Sequence, residues 1–128
     1  MLLKRIVAGA LASLLFVPQV ALAQSMNAQV FYQRAAALQK KGVMALFSSD
    51  LKALTNEGKA AGERARQQRL AAIAAGQKPR YCPPEGPISI GNTEFFDRLS
   101  AIPAADRSRI DMAEATTRIL AGKFPCRG

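Results

Sequence analysis

Histidine is absent from all 128 residues, and that absence removes Ser-His-Asp and Cys-His arrangements from the catalytic possibilities. Acid is scarce as well, with nine aspartates and glutamates against 18 lysines and arginines. No G-x-x-x-x-G-K-[ST] or G-x-G-x-x-G pattern occurs, so neither a phosphate-cradling loop nor a dinucleotide fingerprint is present. Two cysteines without a histidine do not make a zinc site, so neither a metal nor another cofactor is expected. The apolar runs fall short of the about 20 residues that a membrane-crossing helix needs. Internal repeats, low-complexity tracts and convincing strand alternation are missing; Ile88-Ser89-Ile90 is too short to build a sheet. Acid–base chemistry would have to come from the few carboxylates. Asp50, Glu94 and Asp111 each fall near an expected helix start, where capping accounts for them.

What is present begins with an address. Lys4 and Arg5 precede a mostly apolar run from Leu11 to Val17, and Ala21-Leu22-Ala23 is a small-x-small cleavage site. This three-part pattern reads as a secretory signal over residues 1–23. It leaves one domain, residues 24–128, without a transmembrane anchor. The expected location is outside the cytosol, in the periplasm. The signal carries two of the 18 basic residues and none of the nine acidic ones, which leaves the exported domain at +7. A basic exported surface meets anionic partners such as lipid headgroups, cell-wall polymers or acidic proteins, and nucleic acid is not expected there. In an oxidising compartment the two remaining cysteines, Cys82 and Cys126, favour one disulfide. Closing that loop stabilises by about 4 kcal/mol in the chain-entropy model, less any strain.

Apolar residues recur at helical spacing in four stretches. The first spans about residues 28–41, with Phe31, Ala35 and Leu38 in register, Lys40 and Lys41 at its end and Gly42 as the stop. Val43 to Phe47 is a short apolar patch that reads as a further turn. The second helix starts with Ser49 as N-cap and Asp50 in the first turn. Leu51, Leu54, Gly58, Ala61 and Ala65 form a face that begins bulky and becomes small, suited to close approach of a neighbouring helix. Gly76 stops it. Residues 77–91 form a loop marked by Pro79, Pro83, Pro84, Gly86, Pro87 and Gly91. A third helix starts at Asn92, carries Phe95, Phe96, Leu99 and Ile102, and ends at Pro103. The fourth starts at Asp111, with Glu114 completing a capping box and Ile110 placed to staple against Ala115, and is closed by Gly122. The fold class is therefore all-α: a small four-helix domain whose C-terminal helical hairpin is closed by the disulfide.

Two groups of side chains suggest binding. Arg64, Arg66, Arg69, Lys78 and Arg80 gather at the end of the second helix and the following loop, with Tyr81 among them. Arginine forks recognise carboxylates and phosphates, and tyrosine supplies rigid contact area. Phe95 and Phe96 are adjacent on one helix and cannot share one core direction, so Phe96 is a second candidate contact.

The segment from Cys82-Pro83-Pro84 through Glu94, Leu99 and Pro103 to Ala115, Leu120 and Phe124-Pro125-Cys126 resembles the Rap/Tai family of small exported helical proteins. Its pattern is a Cys-x-Pro, a helix, a proline-containing turn, a second helix and a closing aromatic-Pro-Cys. The resemblance implies an α-helical fold, a disulfide and no catalysis. Some members of that family are immunity proteins against cell-wall amidases delivered by type VI secretion. The function expected on these grounds is a non-catalytic periplasmic binding protein, an immunity-type inhibitor of a cell-wall hydrolase. The alternatives are a module binding anionic envelope material through the arginine cluster, or a structural envelope component.

Overall fold

The computed structural model describes residues 25–127; the expected signal over residues 1–23 and its cleavage site lie outside the described residues. Helix α1 spans Ala28–Lys40, a 3₁₀ segment spans Gly42–Phe47, and α2 spans Ser49–Ala74. After the loop come α3 (Asn92–Ala101), a one-turn α4 (Ala104–Arg107) and α5 (Met112–Lys123). There is no strand among the described residues; one isolated antiparallel bridge pairs Asn27 with Asp111. The all-α reading holds, with the apolar patch before Ser48 and the turn after Pro103 forming helical segments of their own.

Local chemistry explains each boundary. The Asn27 side chain accepts from the backbone N–H groups of Gln29 and Val30 at 2.9 and 3.1 Å, which starts α1. Gly42 takes φ +55° just after it, a conformation that costs glycine little. Ser48, rather than Ser49, caps α2: its backbone is extended and its hydroxyl accepts from Asp50 N–H at 3.3 Å. From there α2 runs 26 residues without a break through Gly58 and Gly62, about 39 Å at 1.5 Å per residue. Gly76, at φ +72°, follows its end. Gly91 supplies the extended backbone before α3, so Asn92 already belongs to the helix. The capping box of α5 forms only by half. Asp111 accepts from Glu114 N–H at 2.8 Å, but the Glu114 carboxylate turns outward to Arg80 and Arg118. Gly122 does not close α5; the helix continues to Lys123, and a Cβ at Gly122 would come 3.5 Å from Arg98 Nη1.

Pro103 ends α3 as expected and also begins α4, because its fixed φ is that of a helix entrance. Arg107 on α4 turns back under this corner and is only 6% exposed. Its Nη1 donates to the carbonyls of Ser100 at 3.0 Å, Leu99 at 3.4 Å and Ile102. Its Nε donates to Gln29 Oε1 at 2.7 Å, and its guanidinium lies 3.9 Å from the Tyr32 ring centroid. One side chain thus caps α3, fixes α4 and ties both to α1.

Helix α5 is the centre of the domain. Met112, Ala113, Ala115, Thr116, Thr117, Ile119 and Leu120 are all buried. Ala61 and Ala65 of α2 are 0% and 1% exposed and share core clusters with Ala115, Ile119 and Leu120. The lower part of the bulky-to-small face thus does what its composition promised, letting α2 and α5 approach closely. The segment before α1 is clamped on the same core. Met112 N–H donates to Met26 carbonyl oxygen at 2.7 Å, Ala28 N–H to that of Ile110 at 3.0 Å, and Met26 N–H to Glu57 Oε1 at 2.7 Å. Cys82 and Cys126 form the disulfide with Cα atoms 4.9 Å apart, and Cys82 N–H donates to the Phe124 carbonyl at 2.8 Å. The loop before α3 is thereby tied to the tail after α5.

Three carboxylates hold elements together from outside. Arg80 grips Glu114 with two hydrogen bonds at 2.5 and 2.8 Å. Glu94 bridges Lys123 at 2.9 Å and Arg98 at 3.0 Å, and Asp50 pairs with Arg34 at 2.7 Å. Each carboxyl is held below its usual acidity range. Arg80 is the main cause for Glu114, Lys123 for Glu94 and Arg34 for Asp50. A folded pKa below the unfolded one means the unfolded chain binds more protons in acid. Stability from these pairs is therefore complete above about pH 5 and declines as the pH falls through about 4 and below. Thermal unfolding from pH 7 to 3 should show that decline, and Glu114→Gln should be less stable at pH 7 and lose less on acidification. A Glu114→Gln profile parallel to that of the parent would remove this pair from the account.

Candidate functional site

The long helix α2 is not covered along its whole length. Between it, α1, the start of α3 and residues 83–90 lies an open groove of about 1100 Å³. Leu51, Leu54, Gly58 and Gly62 of α2 line one side, and Phe31, Ala35 and Leu38 of α1 line the inner wall. The proline-rich loop supplies Pro83, Pro84, Pro87, Ile88 and Ile90 opposite. Thr116 and Leu120 of α5 lie at its inner end, and Lys59, Arg66 and Arg69 bring positive charge to the α2 side.

The groove has a sequence cause. Gly58 lies on the face of α2 that was expected to receive another helix, and Gly62 stands one turn further along, yet a Cβ built at either would meet nothing within 4 Å. The glycines widen a trough; Ala61 and Ala65 alone make the close helix contact. Glycine inside a helix costs roughly 0.5–1 kcal/mol relative to alanine. Gly58→Ala and Gly62→Ala should therefore each raise the unfolding free energy by about 0.5–1 kcal/mol, as read by urea denaturation. A loss of stability from either would show that the trough is filled in the folded protein.

The expected contact residues divide in two. Arg66, Arg69, Tyr81 and Phe96 all line the groove, whereas Arg64, Lys78 and Arg80 do not. Tyr81 is 1% exposed and packs with Ala65 and Leu120, so its ring is core rather than contact surface. The Arg69 guanidinium lies 5.5 Å from the Tyr81 ring centroid, and both Arg69 Nε and the Tyr81 hydroxyl are buried without a hydrogen-bond partner among the described residues. Arg66 reaches Glu63 at 3.4 Å, Arg64 lies 4.0 Å from Glu57, and Arg80 is committed to Glu114. Lys78 is exposed in the loop. Phe96 stacks on Tyr32, with centroids 5.2 Å apart and planes 14° from parallel, while Phe95 meets Phe31 edge-on at 6.3 Å. Both phenylalanines are partly buried against α1, and both line the groove.

Sequence reasoning did not find the groove itself. Its walls come from residues about 30 apart in the chain, and its floor is marked by two glycines whose open side only the packing reveals. The proline cluster in residues 83–87 was the one local sign, read simply as a loop.

The arrangement is suited to holding an apolar segment, with charges of both signs along the groove: Lys59, Arg66 and Arg69 beside Glu63 and Glu85, Arg66 being paired with Glu63. Among the described residues no group of three or more cysteine, aspartate or glutamate side chains is placed to hold a metal ion, and no helix is long and apolar enough to cross a membrane. Compared with family models, curated proteins and solved structures, the chain matches none.

Proposed function

We propose that this chain is a non-catalytic binding protein of the periplasm, an immunity-type inhibitor that captures a segment of a cell-wall hydrolase in the groove along α2. The observation that carries this reading is the groove: an open trough of about 1100 Å³, walled by leucine, isoleucine, phenylalanine and proline, with Arg66 and Arg69 on one side. Apolar concavities with a few convergent polar groups are the usual form of a binding site. Arginine beside buried aromatics is the usual form of an affinity anchor.

Asp50, Glu94 and Glu114 are each engaged by a cationic partner that favours the ionised form, which gives these three carboxylates a structural role. The disulfide between Cys82 and Cys126 supports export, since such bonds persist in oxidising compartments. The pairing of Arg80 with Glu114 takes one member of the arginine cluster away from anionic polymers, and Arg64 and Lys78 lie outside the groove.

The test is protection of cells. Periplasmic expression of a cell-wall hydrolase encoded beside this gene should lyse a host, and co-expression of this protein should rescue it. Gly58→Phe, which fills the trough without meeting a neighbour near its Cβ, should abolish rescue. Rescue that persists with Gly58→Phe would move the contact elsewhere, and no rescue of any co-encoded hydrolase would contradict the reading.

A further inference from the structure

The corner between α1 and α2 carries apolar side chains that nothing in the fold covers. On the 3₁₀ segment Val43 is 78% exposed, Met44 63%, Leu46 72% and Phe47 84%. Only Ala45 turns inward, packing against the core cluster. The segment is nevertheless ordered. Met44 N–H donates to the Lys41 carbonyl at 3.2 Å, Ser48 N–H to that of Ala45 at 3.0 Å, and Gly42 at φ +55° sets its direction. Four consecutive large apolar groups, broken by one small inward residue, are held outward in a fixed arrangement. Scattered apolar residues on a surface need no explanation, but a contiguous projecting set does.

The charges around this corner are mostly positive. Lys40 and Lys41 are exposed just before it, and Lys52 is exposed in the first turns of α2. The nearest acidic residue, Asp50, is already paired with Arg34 at 2.7 Å. An apolar tip inside a lysine collar has the composition of a segment that lies in a membrane interface, where apolar groups enter the acyl boundary and cations meet the headgroups. We propose that the corner formed by residues 40–52 is a docking wedge for an anionic phospholipid surface, with Leu46 and Phe47 inserted and Lys40, Lys41 and Lys52 at the phosphates.

A second copy of the chain fits this corner less well. A two-fold contact places the same patch against itself, so the lysine collars would face each other. Four side chains also fall short of the roughly 800 Å² per partner of a stable protein interface. A bilayer needs no shape complement and supplies the opposite charge. The inference goes beyond the groove reading and stands on different residues. A protein held at the inner membrane surface would meet its partner by a search in two dimensions.

The chain has no tryptophan, so Phe47→Trp places one fluorophore at the tip. The exported protein is taken as the cell releases it and mixed with vesicles of phosphatidylcholine alone or with added phosphatidylglycerol. Tryptophan emission should shift to the blue only with phosphatidylglycerol, and the binding should weaken as salt is raised. In the tryptophan-free background, Phe47→Ser should weaken vesicle sedimentation by at least about tenfold with an unchanged melting temperature, because Phe47 supports no packing. Lys40→Gln with Lys41→Gln should weaken it as well, and Gly62→Phe should leave it unchanged. Emission that stays unshifted on anionic vesicles, or shifts only on self-association or on adding a hydrolase, overturns the proposal. Vesicle binding indifferent to Phe47→Ser overturns it too.

Discussion

Replacing Arg107 with alanine should lower the unfolding free energy by about 3 kcal/mol, with a fall in melting temperature of about 15 °C. The effect is large because one buried guanidinium serves four hydrogen-bond acceptors and one aromatic ring. It donates to the carbonyls of Leu99, Ser100 and Ile102 at the end of α3 and to Gln29 on α1, and it lies over the Tyr32 ring. A hydrogen bond to a charged donor contributes about 1.5–3 kcal/mol, and cations are favoured at a helix C-terminus. Against this stands the cost of burying a charge with no carboxylate among its hydrogen-bond partners, so the sum stays well below the total of the contacts. Arg107→Lys should recover less than half of the loss, since an ammonium cannot address three carbonyls and the Gln29 oxygen from one plane. Arg107→Met keeps much of the volume and should remain close to alanine. A loss below about 1 kcal/mol by urea denaturation would mean that water replaces the guanidinium at these carbonyls.

Removing the disulfide should have a comparable effect. Cys82→Ser with Cys126→Ser opens a loop with a sequence separation of 44, for which the chain-entropy model gives about 4 kcal/mol. Hydrogen bonding between Cys82 and Phe124, and the salt bridge of Lys123 with Glu94, hold the same two segments together in the folded state. These contacts remain in the reduced protein, so the serine variant should still fold, with a melting temperature lower by about 15–20 °C. Reductant should lower the melting temperature of the parent to that of the double serine variant and leave the variant unmoved. Equal melting temperatures in the oxidised parent and the variant would show that the bridge constrains nothing.

The boundaries of this fold were legible where one residue decides them. Gly42 and Gly76 stop helices because their backbones enter the left-handed region, and Asp111 starts one because its carboxylate faces an unpaired N–H. Ser48 against Ser49, and Gly91 against Asn92, were ambiguous because adjacent residues offered equivalent caps. Helix α4 was illegible because its four residues are stabilised mainly by Arg107 reaching back across the chain, which no local periodicity records. The same holds for Glu114. Its sequence position fits a capping box, but an arginine 34 residues away competes for its carboxylate and wins by two charge-assisted bonds.

The candidate site was legible in part. Arg66, Arg69 and Phe96 were marked by residue type and lie along the groove. Tyr81 was marked on the same grounds and lies in the core, packed against Ala65 and Leu120. Gly58 carried a signal that pointed the wrong way. Small residues on a helix face permit close approach, but they equally permit an open trough, and only the path of residues 83–90 decides between the two.

The measurement that tests the central claim most directly is inhibition in a purified system. Each cell-wall hydrolase exported by the source cell is assayed on peptidoglycan with and without one equivalent of this protein, and with one equivalent of Gly62→Phe. The account predicts stoichiometric inhibition of one hydrolase by the parent protein. It also predicts at least about tenfold weaker inhibition by Gly62→Phe, whose melting temperature is no lower than the parent's. Full inhibition by Gly62→Phe, or no hydrolase inhibited at all, would contradict it.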